Sequence, residues 1–468
     1  MTTNAAPPET KDGHTDSSDR VGTAVSIDCK SLFEDPTFVH QPTSRPAVSF
    51  SDRVRRSEKP PISYLMEQGL ANPNVISLAA GFVDNASLPV DEVRQAATTI
   101  LADRDTALAA LQYGTTDGYP ELRRQIVEQI ARLDERTPSD LGLDPQRVIV
   151  GTGSQQLLYL VGEVLLDPGD IVLLGVPGYF VYMGALESFG ARIVPIRTDE
   201  EGLDPEAVEA ALEAIDAEGN LERVKFIYDV SYFNNPTGLT LSEPRKRALV
   251  EIAQRWSKRH RIVVVEDAAY RELRYRGSDL PSMLRFDPDG QTVLYAGTFS
   301  KPFSPGMKTG YVIVPTEFRE PLINQKGHED FGTSNLNQHL LAELMRSGAY
   351  QSHLKTLRDV YREKMRVTIE TLEAELRPVR ERVSWTSPEG GLYVWLTLPE
   401  EILTSRGSPF FEDCLKEGML YVPAEFFYPR SATDVPHHCL RLSFGVPPLD
   451  RVREGVRRLA RVVLRHLG

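Results

Sequence analysis

Seven short apolar, β-branched runs recur between residues 147 and 315: RVIVGTG, DIVLLGVP, ARIVPIR, VKFIYDV, RIVVVEDA, TVLYAGTF and GYVIVP. Amphipathic stretches separate them, among them SQQLLYLVGEVLL (154–166), PEAVEAALEAIDA (205–217) and EPRKRALVEIAQRW (243–256). Strands apolar on both faces, alternating with helices, are the mark of a mostly parallel sheet covered by helices on each side. Beyond about residue 332 the pattern changes to a long charged helical stretch (352–376), then VSWTSPEGGLYVWLTLP, CLRLSF and a basic amphipathic terminal helix. The expected architecture is therefore α/β, with a large domain over 93–332 and a smaller α+β domain over 333–468. Residues 1–58, rich in Pro, Ser, Thr and Asp, read as a flexible arm, and residues 59–92 as a segment packing with the small domain.

Composition narrows the function. A formal charge of -13 argues against a nucleic-acid surface, which needs clustered Lys and Arg. No apolar run approaches the roughly 20 residues of a membrane span. The polar start, MTTNAAPPETKDGHTDSSDR, lacks the apolar core of a secretory signal, so a cytoplasmic location is expected. Three widely spaced cysteines, Cys29, Cys414 and Cys439, form neither a disulfide framework nor a zinc pattern, and no metal site is expected. Small-molecule chemistry is the reading that remains.

In an open α/β sheet ligands bind beyond the C-terminal ends of the strands. After RVIV comes Gly151-Thr152-Gly153-Ser154-Gln155, opening a helix whose free N–H groups would hold an anion. After VKFIYDV comes a string containing Asn235-Pro236-Thr237-Gly238, where the Asn235 amide is a possible donor. After RIVVVE comes Asp267, a carboxylate expensive to bury without a cation, and then Tyr270. After TVLYAG come Thr298, Ser300 and Lys301. An anion cup, a carboxylate awaiting a cation, an amide, a phenol and an amine together match pyridoxal 5'-phosphate, which needs a reactive lysine, an acid opposite its pyridine nitrogen and a phosphate site.

These motifs, with SLAAG, LQYGTTDGYPELR, GTGSQQ, NNPTG, EDAAY, GTFSKPFSPGMKTGYV, PEGGLYVW and CLRLSF in that order, resemble the fold-type I, class I/II aminotransferase family over roughly residues 60–465. The pattern is nearest to the kynurenine and 2-aminoadipate aminotransferase branch. The resemblance implies that Lys301 is the Schiff-base lysine and proton shuttle, and that Asp267 keeps the pyridine nitrogen protonated. It implies that Tyr270 and Asn235 hydrogen-bond the cofactor's phenolic oxygen, that Tyr179 stacks on its ring, and that Ser154, Gln155, Thr298 and Lys308 form the phosphate cup. Tyr113 would reach the phosphate of a neighbouring subunit, which implies a homodimer with shared sites. Arg441 would fork onto the substrate α-carboxylate, with Gly81 and Asn235 beside it. Three positions depart from the family pattern: Lys308 stands where arginine is usual, Ala424 where glycine is common, and SLAAG replaces SLAGG.

The function so implied is transfer of the amino group of an L-amino acid to a 2-oxo acid by a ping-pong cycle. The same residues would also serve a lyase or cyclase of the C-S lyase or aminocyclopropane carboxylate synthase type. A non-catalytic regulator is disfavoured by an N-terminal segment too poorly patterned for a winged helix and by the retention of Lys301. Phe82, Tyr179, Tyr182 and Phe427 suggest a partly aromatic pocket.

Overall fold

Strand β1 (Ile76–Ser77) precedes the run of strands that builds the large sheet: β2 (Val148–Gly151), β3 (Ile171–Val176), β4 (Arg192–Asp199), β5 (Gly202–Leu203), β6 (Val224–Val230), β7 (Val263–Asp267), β8 (Val293–Thr298) and β9 (Gly310–Ile313). In this computed structural model, which describes residues 48–468 other than Glu58 and Pro73, the sheet has eight strands in the order β2-β9-β8-β7-β6-β3-β4-β5. Strands β8, β7, β6, β3 and β4 run parallel. Strand β9 is antiparallel to both of its neighbours, and β5 turns back on β4 as a short edge strand. The sheet is thus mostly parallel, as the continuous apolar runs predict, and all five residues of β7 are buried.

The helices fall where the amphipathic stretches place them, at Ser154–Leu165, Pro205–Ala217, Glu243–Trp256 and, longest among the described residues, Ala349–Glu375. A second sheet joins β10 (Ser384–Trp385), β11 (Tyr393–Thr397), β13 (Val422–Pro423) and β14 (Cys439–Ser443) in the antiparallel order β10-β11-β14-β13. Strand β12 (Met419–Leu420) pairs in parallel with β1. From there the chain runs on along β14, the Ser443 N–H donating to Leu78 O at 2.7 Å. Residues 78–84 are carried in this way from the small sheet across to the strand ends of the large one.

Residues Ser51–Gly468 pack as one unit. Of the arm expected over 1–58, residues 1–47, Cys29 included, lie outside the described residues. Within that span Asp52–Arg56 form a short helix, whose Arg53 guanidinium lies over the Phe189 ring at 4.3 Å and pairs with Glu163 at 3.2 Å. Cys414 and Cys439 are buried free thiols. Among the described residues no helix is long and apolar enough to cross a membrane, and no group of three His, Cys, Asp or Glu is arranged to hold a metal.

Candidate active site

Strand register sets the site. Asp267 lies level with Val230 of β6 and Ala296 of β8, while Thr298 lies level with Gly310 of β9, which is itself level with Gly151 of β2. Adjacent strands are about 4.8 Å apart, so the chemistry at these ends converges on one place. There a cavity of about 340 Å³ is lined by residues that include Lys301, Asp267, Asn235, Arg441, Ser154 and Lys308. Gly81, Gln155, Tyr179, Tyr270 and Thr298 also line it. Of the residues to which the family resemblance gives a role at the cofactor or substrate, Tyr113 alone does not: it is 81% exposed and stacks edge-on against Phe331 at 5.5 Å.

At the anion end, the helix Ser154–Leu165 starts from Gly153, whose φ of +78° is left-handed backbone. Gly153, not Ser154, is the N-cap and no side chain caps the helix, so the Ser154 hydroxyl is spared for a ligand. The Thr152 N–H is satisfied by the Gln156 side chain at 2.6 Å, which shapes the loop from behind. Gly310 is required by close approach, because a Cβ there would stand 2.3 Å from the Ser154 nitrogen. The Thr298 hydroxyl accepts the Ser300 N–H at 3.1 Å and closes the turn that presents Lys301. Lys308 adopts φ +46° and ψ +39°, a conformation uncommon for a residue with a Cβ, and enters the cavity from the start of β9.

Alternation along β7 points Asp267 and Glu266 to opposite faces. Glu266 accepts from Ser231, Lys246 and the Met283 N–H inside the protein. Asp267 faces the cavity, taking hydrogen bonds from Tyr228 Oη at 2.9 Å and the Ala269 N–H at 3.1 Å. No salt bridge joins it to a cation among the described residues, and burial pushes its carboxyl up to about 6 despite those two bonds. Asp267 is therefore a desolvated acid poised for a cationic ligand atom.

Arg441 is contributed by the small sheet. It lies opposite Trp395, and Tyr393, two positions away on β11, shares its face. Its guanidinium is sandwiched by the rings of Tyr393 at 4.4 Å and Phe427 at 5.2 Å. It donates to Asn235 Oδ1 at 2.6 Å and to Ala79 O, while its buried Nε has no partner. Asn235 thus accepts from Arg441 through its carbonyl oxygen, which makes its NH₂ the end that can donate to a ligand. Tyr270 Oη shares a 2.8 Å hydrogen bond with Tyr393 Oη. Lys301 Nζ donates to Gly81 O at 2.9 Å. Gly81 cannot carry a side chain, since its Cβ would meet Tyr393 Oη at 2.6 Å.

Two of the aromatics expected in the pocket lie elsewhere. Tyr182 is fully buried beneath the sheet at 4.7 Å from the Tyr228 ring, because it occupies the inward stripe of the helix Phe180–Phe189. Phe427 backs Arg441 without lining the cavity. Phe82, 53% exposed, and Tyr179 do line it. Sequence reasoning missed Tyr228 and Tyr393, although both sit inside motifs it had marked, VKFIYDV and PEGGLYVW. It also missed the backbone carbonyls of residues 79 and 81, for which no sequence signal exists.

The donor set fits pyridoxal 5'-phosphate on features of this site: a buried acid lacking a cation, a helix N-terminus and a lysine at the other end, and an amine between them. Residues 73–459 match the aminotransferase class I and II family. The chain is 33% identical over 390 residues to an aromatic-amino-acid aminotransferase of Thermococcus litoralis, covering 83% of this chain and 88% of that protein. The crystal structure of a multiple substrate aminotransferase from Thermococcus profundus superposes with a TM-score of 0.80 at 31% identity, over 89% of this chain and 98% of the other. That of an alpha-aminoadipate aminotransferase from Thermus thermophilus, complexed with N-(5'-phosphopyridoxyl)-L-leucine, does so with a TM-score of 0.76 at 32% identity, over 89% and 98%. With the family matched over most of its length and the cofactor's demands met strand end by strand end, this chain belongs to the class I and II aminotransferases, enzymes of fold type I that depend on pyridoxal 5'-phosphate.

Proposed function

We propose that the protein transfers the amino group of an L-amino acid to a 2-oxo acid in a ping-pong cycle, with Lys301, Asp267 and Arg441 as its working residues. The observation that carries this reading is the convergence of those three side chains, from β7, the turn after β8 and the small sheet, on one cavity. Ser154, Gln155, Thr298 and Lys308 would hold the cofactor phosphate, Tyr179 its ring face, and Asn235 and Tyr270 its phenolic oxygen. Asp267 would stand against its pyridine nitrogen. When bound, the cofactor supplies an electrophilic carbon for amines and an electron sink that acidifies the substrate Cα–H.

The Arg441 guanidinium binds the substrate α-carboxylate as a fork, using the Nε that has no partner in the protein. Lys301, leaving Gly81 O, acts as general base on the Cα proton. Tyr393 holds the Tyr270 hydroxyl in place at 2.8 Å. Tyr113, exposed and outside its own cavity, would complete the site of a second copy, so a homodimer with shared sites is part of the proposal. A cytoplasmic location and a division into a large domain over 93–332 and a small one over 333–468 belong to the same reading.

The test mixes holoenzyme with a panel of L-amino acids and follows cofactor absorbance. Transamination converts it to the pyridoxamine form and yields a keto acid without free ammonia. Release of ammonia would identify the lyase alternative instead. Lys301→Ala is expected to abolish the conversion while leaving the far-ultraviolet circular dichroism spectrum unchanged, and retention of conversion would refute the assignment.

A further inference from the structure

Residues 79–84 form a strap at the cavity, and three cations hold it. Arg441 donates to Ala79 O, Lys301 to Gly81 O, and Lys364, from the helix Ala349–Glu375, to Asp84 Oδ1 at 2.8 Å. The first two cations line the cavity; Lys364 does not. Its side chain is 3% exposed and that of Asp84 8%. Lys364 also donates to Gly445 O at 2.8 Å, the Asp84 N–H donates to Tyr361 Oη at 3.1 Å, and Ser87 Oγ donates to Asp84 Oδ2. The strap backbone presses so closely on the 445–446 turn that a Cβ on Gly445 would stand 2.4 Å from Phe82 O. Phe82 itself, two residues from Asp84, lines the cavity with its ring half in solvent.

Lys301 cannot serve the strap and the cofactor at once, whereas Arg441, with an unpartnered Nε, divides its donors between the strap and a carboxylate. On the function proposed above, Lys301 leaves Gly81 when it engages the cofactor, and Arg441 has its fork turned to a carboxylate. The strap then loses one of its three charged tethers and shares a second with the substrate at the moment Phe82 has a substrate to cover. We propose that the buried Asp84–Lys364 pair is a positioning clasp, which keeps the strap and Phe82 over the cavity once Lys301 has let go and Arg441 is shared with the substrate, and thereby sets affinity for the amino donor. Neither residue touches the reacting atoms. The paired charges are remote from solvent and satisfied by each other, by the Gly445 carbonyl and by the Ser87 hydroxyl, none of which lines the cavity.

The test removes both charges together, as Asp84→Asn/Lys364→Met, so that neither charge is left buried and unpaired. In the holoenzyme the KM for the amino donor is expected to rise about 10-fold or more while kcat at saturating donor stays within about 3-fold. Hydrogen exchange of amides 79–84 supplies a readout independent of turnover. It should match wild type in the cofactor-free protein, where Lys301 and Arg441 still hold the strap, and be faster by about 10-fold in the cofactor-bound form. Equal KM values, or exchange that is unchanged or equally fast in both forms, would overturn the clasp. If the double variant does not fold, Phe82→Ala, with the clasp intact, is expected to raise KM likewise, and an unchanged KM overturns the covering role. Failure of the wild-type holoenzyme to react with any amino donor would count against transamination itself, whereas the exchange comparison with cofactor alone would still decide the clasp.

Discussion

Replacing Asp267 by Asn should stabilise the cofactor-free protein at neutral pH and destabilise the cofactor complex. Burial is the largest influence on this carboxyl and raises it from 3.8 to about 6, with the Tyr228 and Ala269 hydrogen bonds working against the rise. The folded chain therefore holds this proton more tightly than the unfolded one, and stability is lost as pH rises from about 4 to about 6, then stays level. That displacement corresponds to about 3 kcal/mol. Asn removes the charge but also one acceptor, which takes back about 1 kcal/mol. The net gain of about 2 kcal/mol, set against an unfolding entropy of about 0.9 kcal/mol/K for a unit of this size, raises Tm by about 2 °C at pH 7. The gain should vanish near pH 4. Asp229, pushed up to about 7 mainly by burial, is raised further by the Asp267 charge, so the Asn variant eases its titration as well and the two effects act in the same direction. With pyridoxal phosphate the order should invert, because only the aspartate offers the pyridinium a counter-charge. Thermal melts at pH 4 to 8, with and without cofactor, measure all of this. A cofactor-free Asn variant equal to or less stable than wild type at pH 7 would refute the claim that the site holds an uncompensated acid.

Lys308→Ala should weaken cofactor affinity about 10-fold or more through loss of a phosphate counter-charge, whereas Lys308→Arg retains it; an unchanged Kd by absorbance titration would remove Lys308 from the phosphate cup. Arg441→Lys keeps the charge but not the fork, so at least one charge-assisted bond to the substrate carboxylate is lost, worth about 1.5–3 kcal/mol or about 10- to 150-fold in kcat/KM, with cofactor binding unaffected. Equal kcat/KM in steady-state assays would show that the carboxylate binds elsewhere.

What the sequence disclosed and what it hid divide along the range of the contacts. Asp267, Thr298 and Ser154 were legible because each terminates an apolar run, and strand ends in a parallel sheet fall on one edge by construction. The antiparallel setting of β9 was not legible: GYVIVP has the same composition as its parallel neighbours, and pairing direction leaves no mark on so short a buried run. Tyr228 escaped notice since nothing in VKFIYDV says that its hydroxyl reaches Asp267, 39 residues on. The pairing of Asp84 with Lys364 spans 280 residues, and each residue read alone is an ordinary surface charge. Arg441, by contrast, was found through its motif, and only the structure supplied the reason for its place, a face shared with Tyr393.

The carbonyls of Ala79 and Gly81 also bear on which molecules the site admits. The Arg441 Nε is open to a newcomer, but at the Arg441 terminal nitrogen and at Lys301, already bonded to the main chain, it gains only the difference between its own acceptor and a peptide oxygen. A carboxylate, being charged, wins that contest. A neutral amide or a simple amine offers nothing better than the group it must displace. Those two main-chain oxygens would thus compete with an uncharged ligand before any side-chain pocket is consulted.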